Sequence, residues 1–281
     1  MNTEVTSLSP GNTTGQIPGT NTLLLGPTGV GKTYALRTAV AAGLEVFVLS
    51  TEPGIASTLG DIPSDKLHWK YVAPADTSWE DLIDSAQKIN QLSFEALAKM
   101  SAINKQKYTQ WIEVMYSLRN FIDDRTGKEF GDVTSWGPDR MLALDSLSGL
   151  NIMAMNLVVG SKPTKSQADW GVAMDNLKRF VHKLVSDTNC FFTLIGHMER
   201  EKDEISGAVK LMPATLGRKL PAEIPLFFDD VIMAKREGTS FKWSTAATGA
   251  DLKARNLPIS DNLSPDFKLI VDEWKKMGGI L

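Results

Sequence analysis

Eight residues near the N-terminus have the types and spacing of a phosphate-binding loop. They fit the pattern G-x-x-x-x-G-K-S/T and directly follow an apolar run at residues 22–25. They are Gly26, Pro27, Thr28, Gly29, Val30, Gly31, Lys32 and Thr33. Glycines let successive backbone N–H groups face one anion, and a helix that begins here points its positive N-terminus at the phosphates. The loop therefore predicts that the chain binds a nucleoside triphosphate.

Within this loop, two side chains have separate predicted roles. Lys32 would neutralise the β and γ phosphates of ATP, and the Thr33 hydroxyl would bind Mg²⁺. A second Mg²⁺ ligand is expected from Asp145, which four apolar residues place at the carboxyl end of a buried strand. Asp145 is thus a candidate Walker B residue, and it could also cap the helix that follows. ATP and Mg²⁺ are the predicted cofactors.

Two more polar residues follow predicted strands and are expected at the same sheet edge. Glu52 comes just after the second strand, where it could orient or deprotonate the attacking water. The alternative for Glu52 is an exposed loop residue before Pro53. His197 ends the strand after that of Asp145, where an imidazole could report the γ-phosphate to the following loop.

The elements that must position these residues alternate between strand and helix, which predicts an α/β fold with a mostly parallel sheet. An antiparallel hairpin is expected near the C-terminus because Glu237, Gly238 and Thr239 separate two strand-like runs. The predicted strands are 22–25, 44–50, 68–72, 140–146, 190–195, 226–236 and 240–248. The predicted helices include 34–42, 172–185 and 266–277.

Residues 78–122 carry apolar residues at steps of mostly three or four, which predicts helices with a break near Asn104. These helices either pack on the core or present a surface to another subunit or partner. We therefore expect one domain at 21–281 with a helical insertion at about 78–135. Residues 1–20 have too little apolar surface to fold and are predicted to form a flexible tail.

Composition narrows the class of protein. The 281 residues are 42% hydrophobic and 22% charged, with a formal charge of −3, which is typical of a globular protein without a generally basic surface. The single cysteine, Cys190, excludes an intrachain disulfide and a Cys-rich metal site. No signal-peptide layout and no apolar run of about 18 residues are present. We expect a cytoplasmic protein without a membrane partner.

Together, these segments resemble the RecA-type ATPase core, and in particular the phage-encoded branch of small RecA-like ATPases that includes single-strand annealing proteins. The resemblance is carried by residues 26–33, 141–150, 194–202 with Gly207 and Pro213 after them, and 228–231. It implies a RecA-like P-loop NTPase core with helices flanking the sheet, Mg²⁺-dependent ATP hydrolysis, and the cytoplasm of a bacterial host.

The resemblance also implies two loops that face DNA, at 154–169 and 199–220. The first contains Lys162 and Lys165, and the second contains basic residues at 210, 218 and 219. Acidic residues at 199, 201, 203 and 204 would repel phosphate, so protein contacts are the alternative. Lys253 and Arg255 resemble the Lys-x-Arg element that enters a neighbouring subunit's ATP site, with a solvated basic turn as the alternative.

Two functions follow from these expectations. The first is a RecA-like ATPase that assembles into a ring or filament and acts on single-stranded DNA in phage recombination, annealing or replication, together with phage or host replication and recombination proteins. The second is a nucleotide-gated protein-assembly module with little hydrolysis and no DNA binding. DNA titration at stated salt separates them, because binding to DNA phosphates depends on salt.

Overall fold

The computed structural model describes residues 16–74, 78–100, 107–160, 162–202, 209–247 and 249–281. The strands are β1 (Asn21–Leu25), β2 (Glu45–Ser50), β3 (Leu67–Tyr71), β4 (Arg140–Asp145), β5 (Phe191–Gly196), β6 (Met198–Lys202), β7 (Val209–Pro213), β8 (Asp230–Glu237) and β9 (Ser240–Ser244). The helices are α1 (Lys32–Ala41), α2 (Ile55–Leu59), α3 (Trp79–Gln91), α4 (Phe94–Lys99), α5 (Gln110–Arg119), α6 (Leu147–Val159), α7 (Gln167–Asp187), α8 (Leu220–Glu223) and α9 (Lys268–Lys276).

Seven of these strands form one sheet in the order β3-β2-β4-β5-β1-β8-β9. All neighbouring pairs are parallel except β8 and β9, which form the antiparallel hairpin. The central strands are mostly apolar because both faces of a parallel sheet are covered by helices. The predicted α/β fold, with its flanking helices and C-terminal hairpin, is confirmed.

Alternate side chains of the central strands enter two separate hydrophobic cores. Leu142 and Phe192 lie in the core that α5, α6 and α7 cover. Val48 and Ala143 lie in the opposite core, which α1, α2 and α9 cover. The two cores follow from the strand period of two, which sends successive side chains to opposite faces.

Strand register brings the carboxyl ends of four strands to one edge of the sheet. Leu25 of β1 pairs with Gly196 of β5, and Asp145 of β4 pairs with Ser50 of β2 and Ile195 of β5. The loops that follow these strands therefore lie side by side. This edge is where ligands bind in open α/β sheets.

Two segments predicted as loops contain regular structure. Most of 154–169 belongs to α6 and α7. The apolar residues of 147–159 bury one side of a helix, and α7, which Ser166 caps, begins five residues earlier than predicted. Segment 199–220 contains the antiparallel β6–β7 pair, and residues 203–208 between these strands, including Gly207, lie outside the described residues. Strand β8 begins at Asp230 rather than 226, because residues 224–227 form a 3-10 helix.

The predicted helical insertion comprises α3, α4 and α5. Helix α5 packs on the core through Trp111 and Val114, whereas α3 buries none of its residues. The predicted break near Asn104 lies outside the described residues, as do residues 1–15 of the predicted tail and Thr248. Residues 16–20, also assigned to the tail, contact the domain, since Trp274 Nε1 donates to Pro18 O at 2.8 Å. No helix among the described residues is long and apolar enough to cross a membrane.

Candidate active site

The predicted phosphate loop connects β1 to α1. Gly29 and Gly31 have φ angles of 77° and 81°, in the left-handed region that only glycine adopts at little cost. At Gly26 the limit is space, because a Cβ there would meet the carbonyl oxygen of Ala234 in β8. The glycines of the pattern are thus needed for backbone shape, and the loop ends at the N-terminus of α1 as an anion site requires.

Lys32 lies across this loop. Its Nζ donates to the carbonyl oxygens of Gly26 at 2.8 Å and Pro27 at 2.7 Å. Burial lowers the pKa of Lys32, and the nearby carboxylates of Asp145 and Glu52 partly oppose that shift. An anion bound to the loop would offer the ammonium group a charged partner in place of neutral carbonyls.

Thr33 and Asp145 meet directly, and the Thr33 hydroxyl donates to Asp145 Oδ2 at 2.5 Å. Asp145 is 4% exposed, and burial raises its pKa to about 6, with the nearby Glu52 carboxylate adding to the shift. A hydroxyl and a carboxylate are the hard oxygen donors that Mg²⁺ prefers, and this ion usually takes only one or two protein ligands beside phosphates. The pair therefore fits the predicted Mg²⁺ site.

Glu52 and His197 also lie together at this edge. The Ser146 hydroxyl donates to Glu52 Oε1, and His197 Nε2 lies 3.6 Å from the same oxygen. The Glu52 side chain is 46% exposed, so it reaches solvent from which a water could be drawn. The two residues are separated by 145 positions in the sequence, and parallel pairing of the intervening strands brings them into contact.

Thr51 and Ser146 take part in the site although the sequence analysis gave them no role. Thr51 N donates to Asp145 O at 2.6 Å, and Ser146 N donates to Thr51 Oγ1 at 2.9 Å. These bonds join the turn after β2 to the turn after β4, which fixes Glu52 relative to Asp145. The only sequence signal for them is that each is adjacent to a predicted acidic site residue.

A cavity of about 270 Å³ opens beside the phosphate loop. It is lined by loop residues together with Lys32, Thr33, Glu52, Asp145 and His197. The structure thus brings together nine of the predicted site residues, which are these five and the loop residues Thr28, Gly29, Val30 and Gly31. Their charges and donors converge on a space that adjoins the N-terminus of α1.

Lys253 and Arg255 lie elsewhere. Lys253 pairs with Val231 near the amino end of β8, and its Nζ donates to Phe228 O at 2.5 Å. Arg255 binds Asp229 Oδ1 at 2.9 Å through its guanidinium group. Because β8 runs parallel to β1, its amino end lies at the sheet edge opposite the phosphate loop. These two side chains therefore do not line the cavity of their own chain.

The β6–β7 hairpin begins directly after His197. His197 O accepts from Ala214 N at 2.9 Å, which closes the base of the hairpin. Asn151 of α6 donates to Ala214 O at 3.0 Å, and its own side-chain oxygen accepts from Thr215 at 2.9 Å. The hairpin is thereby tied both to His197 and to the helix that follows Asp145.

Several basic residues predicted to face DNA are already ion-paired or stacked. Lys162 lies 3.2 Å from the Asp169 carboxylate, and Lys210 contacts Asp251 at 2.5 Å. Lys165 lies over the ring of Trp170 at 5.6 Å. The Lys210–Asp251 pair is exposed, and exposed ion pairs contribute little to stability.

Residues 19–256 match the model of a protein family described as AAA domain. No curated protein matches the sequence significantly. Among solved structures, the chain is similar to a prototypical ATPase from the type III secretion system of pathogenic bacteria, with 12% identity, a TM-score of 0.39, and coverage of 78% of this chain and 53% of that one. It therefore spans about half the length of that ATPase. The chain is also similar to the RadB recombinase, with 16% identity, a TM-score of 0.36, and coverage of 89% and 86%.

Proposed function

This chain belongs to the AAA-domain family, and from that membership and the site geometry we propose that it is a Mg²⁺-dependent ATPase. The observation that carries the proposal is the direct contact of Thr33 with Asp145 beside Lys32, at the same sheet edge as Glu52. Phosphate-loop ATPases need these groups together. A loop that only bound an anion would not need a buried carboxylate next to its threonine.

In the proposed reaction, the loop backbone and Lys32 bind the β and γ phosphates and offset their negative charge. Thr33 and Asp145 would hold Mg²⁺, which neutralises charge on the phosphate oxygens when bound. Glu52 orients the attacking water and accepts its proton, and Ser146 fixes the direction of the carboxylate. Placing the water in line with the leaving oxygen is the main task, because phosphoryl transfer depends on positioning and electrostatics.

We further propose that His197 reports the γ-phosphate to the β6–β7 hairpin, which contacts single-stranded DNA. The support is that His197 lies 3.6 Å from Glu52 and bonds the base of the hairpin through its carbonyl. Arg200 and Lys202 are exposed on the hairpin. Phage recombination, annealing or replication is the proposed setting.

The test is ATP turnover by the purified protein at about 0.1 M salt, with and without single-stranded DNA. Lys32→Ala should abolish nucleotide binding and turnover, because it removes the cation that faces the phosphates. Glu52→Gln should retain ATP binding while turnover falls about 100-fold or more, as expected for loss of a general base. If Lys32→Ala hydrolysed ATP at the full rate, the site assignment would be wrong.

For Lys253 and Arg255 we propose a role in the ATP site of a neighbouring subunit. Their position at the edge opposite their own phosphate loop supports a contact in trans, and exposed Arg255 could exchange its Asp229 partner for a phosphate. Arg255→Ala and Lys32→Ala should each be inactive alone. Mixing the two should restore turnover, since an intact site of one variant would receive Arg255 from the other. A mixture that stays inactive while still assembling would argue against this role.

A second candidate function is favoured by the exposed apolar residues of the helical insertion. Trp79 and Phe94 are 76% and 72% exposed, and Ile83 is 53% exposed. Such a surface is typical of protein contact, which agrees with a nucleotide-gated assembly module. Oligomers that depend on ATP and are indifferent to DNA across a salt series would support this candidate over a DNA-dependent ATPase.

A further inference from the structure

Phe241 is a large aromatic side chain left exposed beside the phosphate loop. It lies at the start of β9 and is 43% exposed. A Cβ placed on Gly31 would lie 3.4 Å from a carbon of its ring, so the ring rests on the loop backbone. Trp243, on the same face of β9, is instead buried against Phe267 with ring centroids 5.0 Å apart. The hairpin thus buries one aromatic residue and leaves the other exposed beside the phosphate loop.

The direction of the bound nucleotide follows from the sheet order. Asp145 ends β4 and Glu52 follows β2, and both strands lie on one side of β1. The reacting γ-phosphate must be next to these residues, because Glu52 activates the attacking water. A nucleoside end that points away from Glu52 and Asp145 lies on the other side of β1, where β8 and β9 lie. Phe241 is on that side.

We propose that the Phe241 ring is the platform on which the base of the bound nucleotide stacks. This inference rests on the proposed function and adds to it how the nucleoside is held. A phenyl face stacks on any base, since every base has a π-face. Arg236 pairs with Phe241 from the neighbouring strand β8, and its guanidinium group lies 5.5 Å from the ring centroid, within cation–π distance.

Tyr34 is the natural comparison because it is also an exposed aromatic residue beside the loop. It is 60% exposed and lines the cavity together with Thr58, on the side of α2 rather than of β9. Arg37 lies 4.7 Å from its ring centroid, so both rings have an arginine neighbour. If the nucleoside instead extends toward α2, Tyr34 would be the platform. Alanine substitution at Phe241 and at Tyr34 therefore distinguishes the two directions in which the nucleoside could extend.

The experiment measures binding of ATP and of inorganic tripolyphosphate, which lacks a nucleoside, to the full-length protein with Mg²⁺ by calorimetry. The variants are Phe241→Ala, Phe241→Trp and Tyr34→Ala. Phe241→Ala should weaken ATP binding by roughly 10- to 100-fold, the usual effect of losing one base–aromatic stack. Its affinity for tripolyphosphate should stay within about twofold of the original, because the phosphate contacts are unchanged. Phe241→Trp should retain ATP binding.

Three results would overturn the inference. The first is that Phe241→Ala leaves the affinity for ATP unchanged. The second is that it weakens binding of ATP and of tripolyphosphate equally, which would mean that the ring only supports Gly31. The third is that Tyr34→Ala weakens binding of ATP but not of tripolyphosphate. Failure of the proposed ATPase function itself would give a different result, because the unmodified protein would then bind neither ATP nor tripolyphosphate. The two failures can therefore be told apart.

Discussion

Replacing Gly149 with alanine should destabilise the protein, because this glycine of α6 lies against Thr51. An added Cβ would lie closer than 3.0 Å to Thr51 Oγ1 and Cβ, and 3.3 Å from its Cγ2. Thr51 is 1% exposed and cannot move into solvent. It would have to shift within the core, away from the Ser146 peptide group that it binds through its hydroxyl.

The size of the effect follows from three contributions. Overpacking a dense core costs about 1–3 kcal/mol. Each lost Thr51 hydrogen bond adds about 0.5–1.5 kcal/mol, while alanine gains at most ~1 kcal/mol of helix propensity. The net loss of unfolding free energy is roughly 3 kcal/mol, which lowers the urea midpoint by about 1–1.5 M if m is ~2–3 kcal/mol/M.

The assay is urea unfolding followed by far-UV circular dichroism, with Gly171→Ala as the matched control. Gly171 lies inside α7, and a Cβ there would meet nothing within 4 Å, so this variant should gain about 0.5–1 kcal/mol. The double variant Gly149→Ala, Thr51→Ala should lose less unfolding free energy than the two single variants lose together, because the smaller side chain at position 51 removes the clash. If Gly149→Ala unfolded at the same urea concentration as Gly171→Ala, the packing argument would be refuted.

Two further predictions concern titratable groups. Burial raises the pKa of the Cys190 thiol to about 12, so the native protein should not react with a thiol-specific disulfide reagent at pH 8, whereas the unfolded chain should; rapid native labelling would contradict this. For Asp123, burial favours a higher pKa, but hydrogen bonds from Thr126, Arg125 and Trp69 outweigh it and the pKa is lowered. A carboxyl group whose pKa is lowered on folding stabilises the fold at pH values above its pKa in the unfolded chain, which is about 4, and this stabilisation is lost as the pH falls. In Asp123→Asn, the unfolding free energy measured by urea titration should therefore decrease less as the pH is lowered.

Much of the fold could be predicted from the sequence because its signals are local. The phosphate loop is contiguous, and two of its three glycines, Gly29 and Gly31, have positive φ angles. The buried strands β2, β4 and β5 are short, mostly apolar runs; β2 and β4 end in polar residues, and β5 is followed directly by His197, as predicted. A helix after Asp145 was expected, but its extent to Val159 was not predicted, because an apolar run without strong polar alternation does not show a helical period.

The sequence by itself determined which residues we propose for nucleotide chemistry, namely Lys32, Thr33, Asp145 and the acid Glu52, because each follows a local pattern of loop or strand end. Only the tertiary structure decided which of them touch. Strand order brings His197 to Glu52 and Thr51 to Ser146, while it carries Arg255 to the opposite edge of the sheet. Pairing between distant strands depends on burial over the whole chain, and no local pattern encodes it.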